Sequence, residues 1–113
     1  MVNISTHKQA DFIIVEVHGE VDASSSLQLD EAIVKATEHG ERVIIDCTNL
    51  KYISSAGLGV FMSYIQDIEL GKVKLALFGL TESVKNVFEI LGLDQLLAVR
   101  ESEEEAKVAL NEL

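Results

Sequence analysis

Two adjacent hydroxyls, Ser54 and Ser55, fall where an apolar strand pattern gives way to a helical one. The strand pattern is Arg42-Val43-Ile44-Ile45-Asp46-Cys47, and the helical pattern spaces Leu58, Phe61, Met62, Ile65 and Ile68 along one face. A helix N-terminus carries unpaired backbone N–H groups and the positive end of the macrodipole. A serine there either caps the helix or carries a phosphate that the helix end stabilises. A phosphate on Ser55 would add about −1.5 to −2 charges at neutral pH. The fold tolerates that charge, but a docked partner does not, because the surface changes sign and size. Gly57 and Gly59 either admit a partner's backbone close to the helix start or let the helix pack tightly on a sheet. Asp22 and Asp46 lie at strand exits expected near this loop, where they would sharpen the charge effect; turn hydrogen bonding is their other role.

Other chemistries find no footing. Gly57-Leu58-Gly59 is half of a dinucleotide fingerprint, with Met62 where the third glycine belongs. Neither serine lies in a Gly-x-Ser-x-Gly elbow. His7, His18 and His39 are scattered, and nothing places one beside a serine and an aspartate. His39 falls in the last turn before Gly40, where an imidazole favours the dipole. The one cysteine, Cys47, ends an apolar strand and reads as a small buried hydrophobe. No catalysed reaction, cofactor or metal is expected.

The elements that position the serines follow from periodicity. Residues 2–8 suggest an edge strand, and Phe12–Val17 is apolar and β-branched. Gly19 and Asp22 punctuate a turn. Ser25-Ser26-Leu27-Gln28 fits a capping box, followed by Leu29, Ala32, Ile33 and Ala36 on one helix face and Gly40 as the stop. After the 42–47 strand and the serine loop, a helix runs to about Leu70 and ends at Gly71. A strand over 73–78 closes at Gly79. Thr81 is the expected N-cap of a helix burying Val84, Val87, Phe88 and Leu91, with Gly92 as its stop. Leu97–Val99 is a short strand. Ser102-x-x-Glu105 is a second capping box, opening a helix with Ala106, Ala109, Leu110 and Leu113 on its apolar face. The order ββαβαβαβα implies a mainly parallel sheet whose first pair is antiparallel.

Three blocks in this order carry a family resemblance. The run Tyr52-Ile53-Ser54-Ser55-Ala56-Gly57-Leu58-Gly59-Val60 resembles the phosphorylation-site signature of bacterial anti-sigma-factor antagonists, of the STAS domain family. Gly19-Glu20-Val21-Asp22 resembles the family's Gly-x-(Leu/Ile/Val)-Asp turn, and Asp46-Cys47-Thr48-Asn49-Leu50 its Asp-x-(Ser/Thr)-x-(Leu/Val) strand exit. The resemblance spans essentially the whole chain. It departs at Ser54, where the family usually has Asp.

The resemblance implies a single α/β domain over residues 1–113, a mixed, mostly parallel sheet of four to five strands with about four helices, and fuller helix cover on one sheet face than on the other. It implies that Ser55 is the phosphoacceptor. Asp22, Ser24, Ser54, Ala56, Gly57, Leu58, Gly59 and Met62 would form the partner surface. The partner would be an anti-sigma factor that is also a serine kinase, with a phosphatase resetting the switch. The replacement of Asp by Ser54 keeps open a second role, as a non-enzymatic subunit of an ABC-type lipid-transport complex.

Composition is compatible with both roles. At 113 residues the chain builds one core, and 48% hydrophobic content opposes disorder. A net charge of −10 disfavours direct nucleic-acid and anionic-membrane contact while permitting a basic protein partner. No run approaches the roughly 20 apolar residues of a membrane span. Met1-Val2-Asn3-Ile4-Ser5-Thr6 does not resemble a secretory leader, so a cytoplasmic location is the expectation.

Overall fold

The computed structural model describes residues 2–38 and 42–111. The expected helix stop at Gly40, the dipole position of His39 and the terminal Leu113 lie outside the described residues. The chain runs β1 (Val2–Gln9), β2 (Phe12–Val21), α1 (Ser26–Thr37), β3 (Arg42–Asp46), β4 (Leu50–Ile53), α2 (Ser55–Met62), α3 (Ile65–Glu69), β5 (Lys74–Phe78), α4 (Glu82–Ile90), α5 (Leu93–Leu96), β6 (Ala98–Arg100) and α6 (Glu103–Asn111).

The strands form one mixed sheet in the order β1-β2-β3-β5-β6, with β4 on β2 beyond the end of β3. The β1–β2 pair is antiparallel, from Val2 opposite Gly19 to Gln9 opposite Phe12. The other pairings are parallel. One strand exceeds the expected four to five. It is β4, which pairs with the end of β2 across a register shift at Gly19 and Glu20. Gly19, at φ 98°, takes this shift inside the strand, so it marks a bulge and not a turn.

The larger core lies on one face, where Val15, Val17, Val43, Ile45, Leu75 and Leu77 of the sheet meet Leu29 and Ile33 of α1, Phe61 of α2 and Phe88 of α4. On the other face, α6 covers Phe12, Ile14, Ile44, Ala76 and Phe78 through Ala106 and Leu110. This uneven cover agrees with the family expectation.

Four details of capping, helix length and burial differ from the sequence reading. The Ser25 side chain makes no cap bond; its hydroxyl is engaged with Asp22 and the Glu20 carbonyl. Thr81 occupies the N-cap of α4, but its Oγ1 is buried without a hydrogen-bond partner. The helix after Ser55 breaks at Ser63 and Tyr64, where the Ser63 hydroxyl donates to the Val60 carbonyl at 2.6 Å and competes with the helical ladder. Leu91 caps the end of α4 and is exposed instead of buried. The second capping box forms in half: the Glu105 N–H donates to Ser102 Oγ at 3.2 Å, but Glu105 Oε1 accepts from the Glu101 N–H at 3.1 Å, one residue before the N-cap, and not from Ser102.

Candidate functional site

The start of α2 divides two roles between two serines. Ser54 is the N-cap, extended at φ −85° and ψ 172°, and its Oγ accepts from the Gly57 N–H at 3.3 Å. Its own N–H donates to the Val21 carbonyl at 2.8 Å, fastening the helix start to the end of β2. Ser55 is the first helical residue, exposed, and its hydroxyl makes no hydrogen bond among the described residues. The first turn of α2 carries no acidic side chain, so the positive helix end is not offset from within the helix. Because Ser54 satisfies a helix-end donor, Ser54→Ala is expected to cost about 1 kcal/mol of stability. Thermal melting followed by circular dichroism should show a fall of about 4 °C.

Below this turn the helix sits hard on the sheet. A Cβ on Gly57 would come within 2.7 Å of both Ile53 Cγ1 and Val21 Cγ1, so this position requires glycine for close packing. Gly57 and Leu58 are buried, with Leu58 packed in the larger core. Of the residues expected to meet a partner, these two therefore face inward. Gly59 is different: a Cβ there would meet nothing within 4 Å. Ala56 and Ser55 are exposed, and Met62 is 50% exposed although it continues an apolar helical pattern.

Asp22 and Ser24 form the turn beside the α2 start. Asp22 Oδ1 accepts from the Ser24 hydroxyl at 2.7 Å and N–H at 3.0 Å, and from the Ser25 N–H and hydroxyl at 3.1 Å each. These bonds, led by the Ser24 and Ser25 hydroxyls, hold the Asp22 carboxyl below the usual aspartate range, so it stays charged. Val21 precedes it and carries the backbone bond to Ser54, which sets a fixed negative charge beside the serines.

Asp46 does not join them. It makes the same kind of turn with Thr48, accepting its hydroxyl at 2.7 Å and its N–H at 3.0 Å. However, Asp46 is in register with Glu16, whereas Ile53, next to Ser54, is in register with Val21. Five strand residues at about 3.3 Å each separate them by roughly 16 Å. The expectation that both aspartates neighbour the loop fails because β2 outruns β3 and β4 carries the chain onward.

A groove of about 350 Å³ runs between α1 and α2, lined by Ser26, Leu27 and Asp30 on one side and by Ala56, Gly59, Val60 and Ser63 on the other. The sequence reading missed the α1 wall. Its signal was Leu27, an apolar residue off the buried face of its helix, which is 66% exposed. Asp30 accepts the Tyr64 hydroxyl at 2.8 Å, tying α1 to the turn after α2 and fixing the width of the groove. Burial, reinforced by Asp30, pushes the Tyr64 phenol above its usual range, so it remains a donor.

Elsewhere, Cys47 is fully buried, and burial together with the Asp46 charge pushes its thiol far up, which removes nucleophilic character. Among the described residues no group of three or more His, Cys, Asp or Glu side chains is arranged to hold a metal ion. Among them also, no helix is long and apolar enough to cross a membrane.

Comparison with known proteins bears on this arrangement. The STAS domain family model matches residues 3–106. An anti-sigma-B factor antagonist of Staphylococcus epidermidis is 32% identical over 104 residues, covering 91% of this chain and 96% of the relative. Among solved structures, an anti-sigma factor antagonist from Mycobacterium paratuberculosis superposes with a TM-score of 0.88 at 16% identity, over 98% of this chain and 95% of that one. The Bacillus cell fate determinant SpoIIAA in its phosphorylated form superposes with a TM-score of 0.69 at 20% identity, over 96% of this chain and 99% of that one.

Proposed function

This chain belongs to the STAS domain family, and on that premise we propose that it is an anti-sigma-factor antagonist switched off by phosphorylation of Ser55. The observation that carries the reading is the free, exposed Ser55 hydroxyl at the first position of a helix already capped by its neighbour. The relatives named as anti-sigma-B factor antagonists over nearly the whole chain support the class of partner. A neighbour of this fold that exists in a phosphorylated form supports the modification.

The mechanism follows from the geometry. Unphosphorylated, the α2 start and the α1–α2 groove offer small side chains, Ala56 and Gly59, with exposed Leu27 and Met62 as apolar anchors. Asp22 and Ser24 lie at the rim. An anti-sigma factor docked here gives up its sigma factor. As a serine kinase holding ATP, it then transfers the γ-phosphoryl group to Ser55 Oγ; the bond from the γ-phosphorus to the bridging oxygen breaks to release ADP, and the hydroxyl proton leaves with a base of the kinase. The phosphate is tolerated within the chain because free N–H groups and the helix dipole face it. It is opposed across the interface by size and by like charge, to which Asp22 adds. A phosphatase removes it. Gly57 and Leu58 serve the switch from below by fixing the helix on the sheet. The protein acts by binding, not by catalysis, in the cytoplasm and without contacting DNA.

Ser54 matters because it is where this chain departs from the family pattern it resembles, which has Asp at that position. Serine caps nearly as well as aspartate, so the residue meets the structural need without adding a charge beside the incoming phosphoryl group. Ser54→Asp is expected to change the single-turnover rate of Ser55 phosphorylation by less than about tenfold, or ~1.4 kcal/mol of barrier. No feature of the site specifically favours the alternative role in a lipid-transport complex. Sigma release tests the reading: unphosphorylated chain added to a sigma–anti-sigma complex should free the sigma factor, measured by size-exclusion chromatography. A complex left intact at saturating chain would contradict it.

A further inference from the structure

We propose that β1 is an interface between two copies of this chain, pairing antiparallel with its symmetry mate so that two sheets join edge to edge. β1 is the outer strand of the sheet, and among the described residues nothing pairs with its far side. It is eight residues long, in unbroken register with β2, and contains neither proline nor glycine. Proteins that keep such edges single shorten, bulge or charge them. β1 carries one full charge, Lys8 near its C-terminal end, and none of the chain's 19 acidic residues, so the edge is the strip where a second copy of this acidic chain meets least repulsion.

The groove beside the edge favours the same occupant. A cavity of about 490 Å³ lies between the sheet edge and α1, floored by Ile4, Ile13, Ala32 and Ala36. A strand added to β1 would project alternate side chains into it. β1 supplies Ile4 and Thr6 on that face, alternating with Asn3, Ser5 and His7, while Val2 is already buried in its own chain's core. Ile4, opposite Val17 and packed on the larger core, places the apolar set on the α1 face.

Charge on α1 completes the case. Glu31 and Lys35 line the groove rim, one helical turn apart, and neither makes an ion pair among the described residues. A two-fold axis through the β1 pair would set the two α1 helices antiparallel on one face. Glu31 of each copy would then approach Lys35 of the other, the reciprocal contact an isologous dimer requires. The Ser55 loop follows β4, which pairs with the opposite side of β2, so the switch stays accessible in the dimer.

Sedimentation equilibrium tests this. The wild-type chain should show a concentration-dependent monomer–dimer equilibrium. Thr6→Lys, which places a charge on the edge while reducing the net negative charge, should raise the dimer dissociation constant by about tenfold or more. Lys35→Glu should weaken the dimer, and adding Glu31→Lys to it should restore the affinity. These helix positions are exposed, so they remain decisive if circular dichroism shows that Thr6→Lys disturbs the strand. A wild-type chain that stays monomeric up to about 1 mM would overturn the proposal. So would a dimer indifferent to both the edge and the α1 substitutions, or one that the charge reversal fails to rescue.

Discussion

Ser55→Glu is expected to bind the partner kinase about 100-fold more weakly than wild type, a loss of ~3 kcal/mol, while melting within a degree or two of it. Ser55→Ala should keep wild-type affinity. The contrast rests on where the side chain lies. Ser55 Oγ is exposed and makes no hydrogen bond among the described residues, so removing it strands no buried group. A carboxylate at the first helical position meets the positive helix end and costs the fold nothing. At the centre of a docked surface the same charge must be desolvated beside Asp22, which its hydrogen bonds keep ionised. Titration calorimetry with the three proteins reads the effect, and equal affinities for the glutamate and alanine variants would remove Ser55 from the interface.

Phe61→Ala is expected to lose about 3–5 kcal/mol of folding free energy, a large part of a total near 5–15 kcal/mol. Phe61 is fully buried on the underside of α2. Its ring meets Phe88 of α4 at a centroid distance of 6.0 Å and a tilt of 56°. Truncation removes this aromatic contact, worth about 0.5–1.5 kcal/mol beyond area burial, and leaves a cavity beneath the helix that displays Ser55. Urea unfolding should show the midpoint falling with little change in slope. The adjacent Met62 is the control: half exposed, its replacement by alanine should change stability by no more than about 0.5 kcal/mol. A similar loss at both positions would mean that the inner and outer faces of α2 are misassigned.

The contrast between Phe61 and Met62 also shows what was legible in the sequence. Periodicity placed both on an apolar stripe, but only packing against α4 separates the anchor from the exposed face. The long elements were readable because their apolar residues recur at fixed spacing, as in β2 and α1. β4 was not. Leu50 and Ile53 are both buried with Lys51 and Tyr52 exposed between them, an arrangement that needs the register shift opposite Gly19. A period-two pattern cannot survive such a bulge. Missing β4 also misplaced Asp46, since without that strand the end of β3 would adjoin the serine loop. Local hydroxyl chemistry was partly readable: Ser54 caps as its spacing allowed, whereas Ser25 satisfies Asp22 instead of its helix. The α1 wall of the groove depended on tertiary placement: Leu27 stands out as an apolar residue off the buried face of its helix, but nothing local in Ser26, Leu27 and Asp30 says that α2 lies opposite.

The central claim is that one phosphate on Ser55 decides binding. The direct measurement treats the wild-type chain with its partner kinase and ATP, maps the phosphate by mass spectrometry, and titrates phosphorylated and unphosphorylated protein into the anti-sigma factor. The account predicts a single phosphate on Ser55 and an affinity about 100-fold lower for the phosphorylated form. A phosphate at another residue, or equal affinity for the two forms, would contradict it.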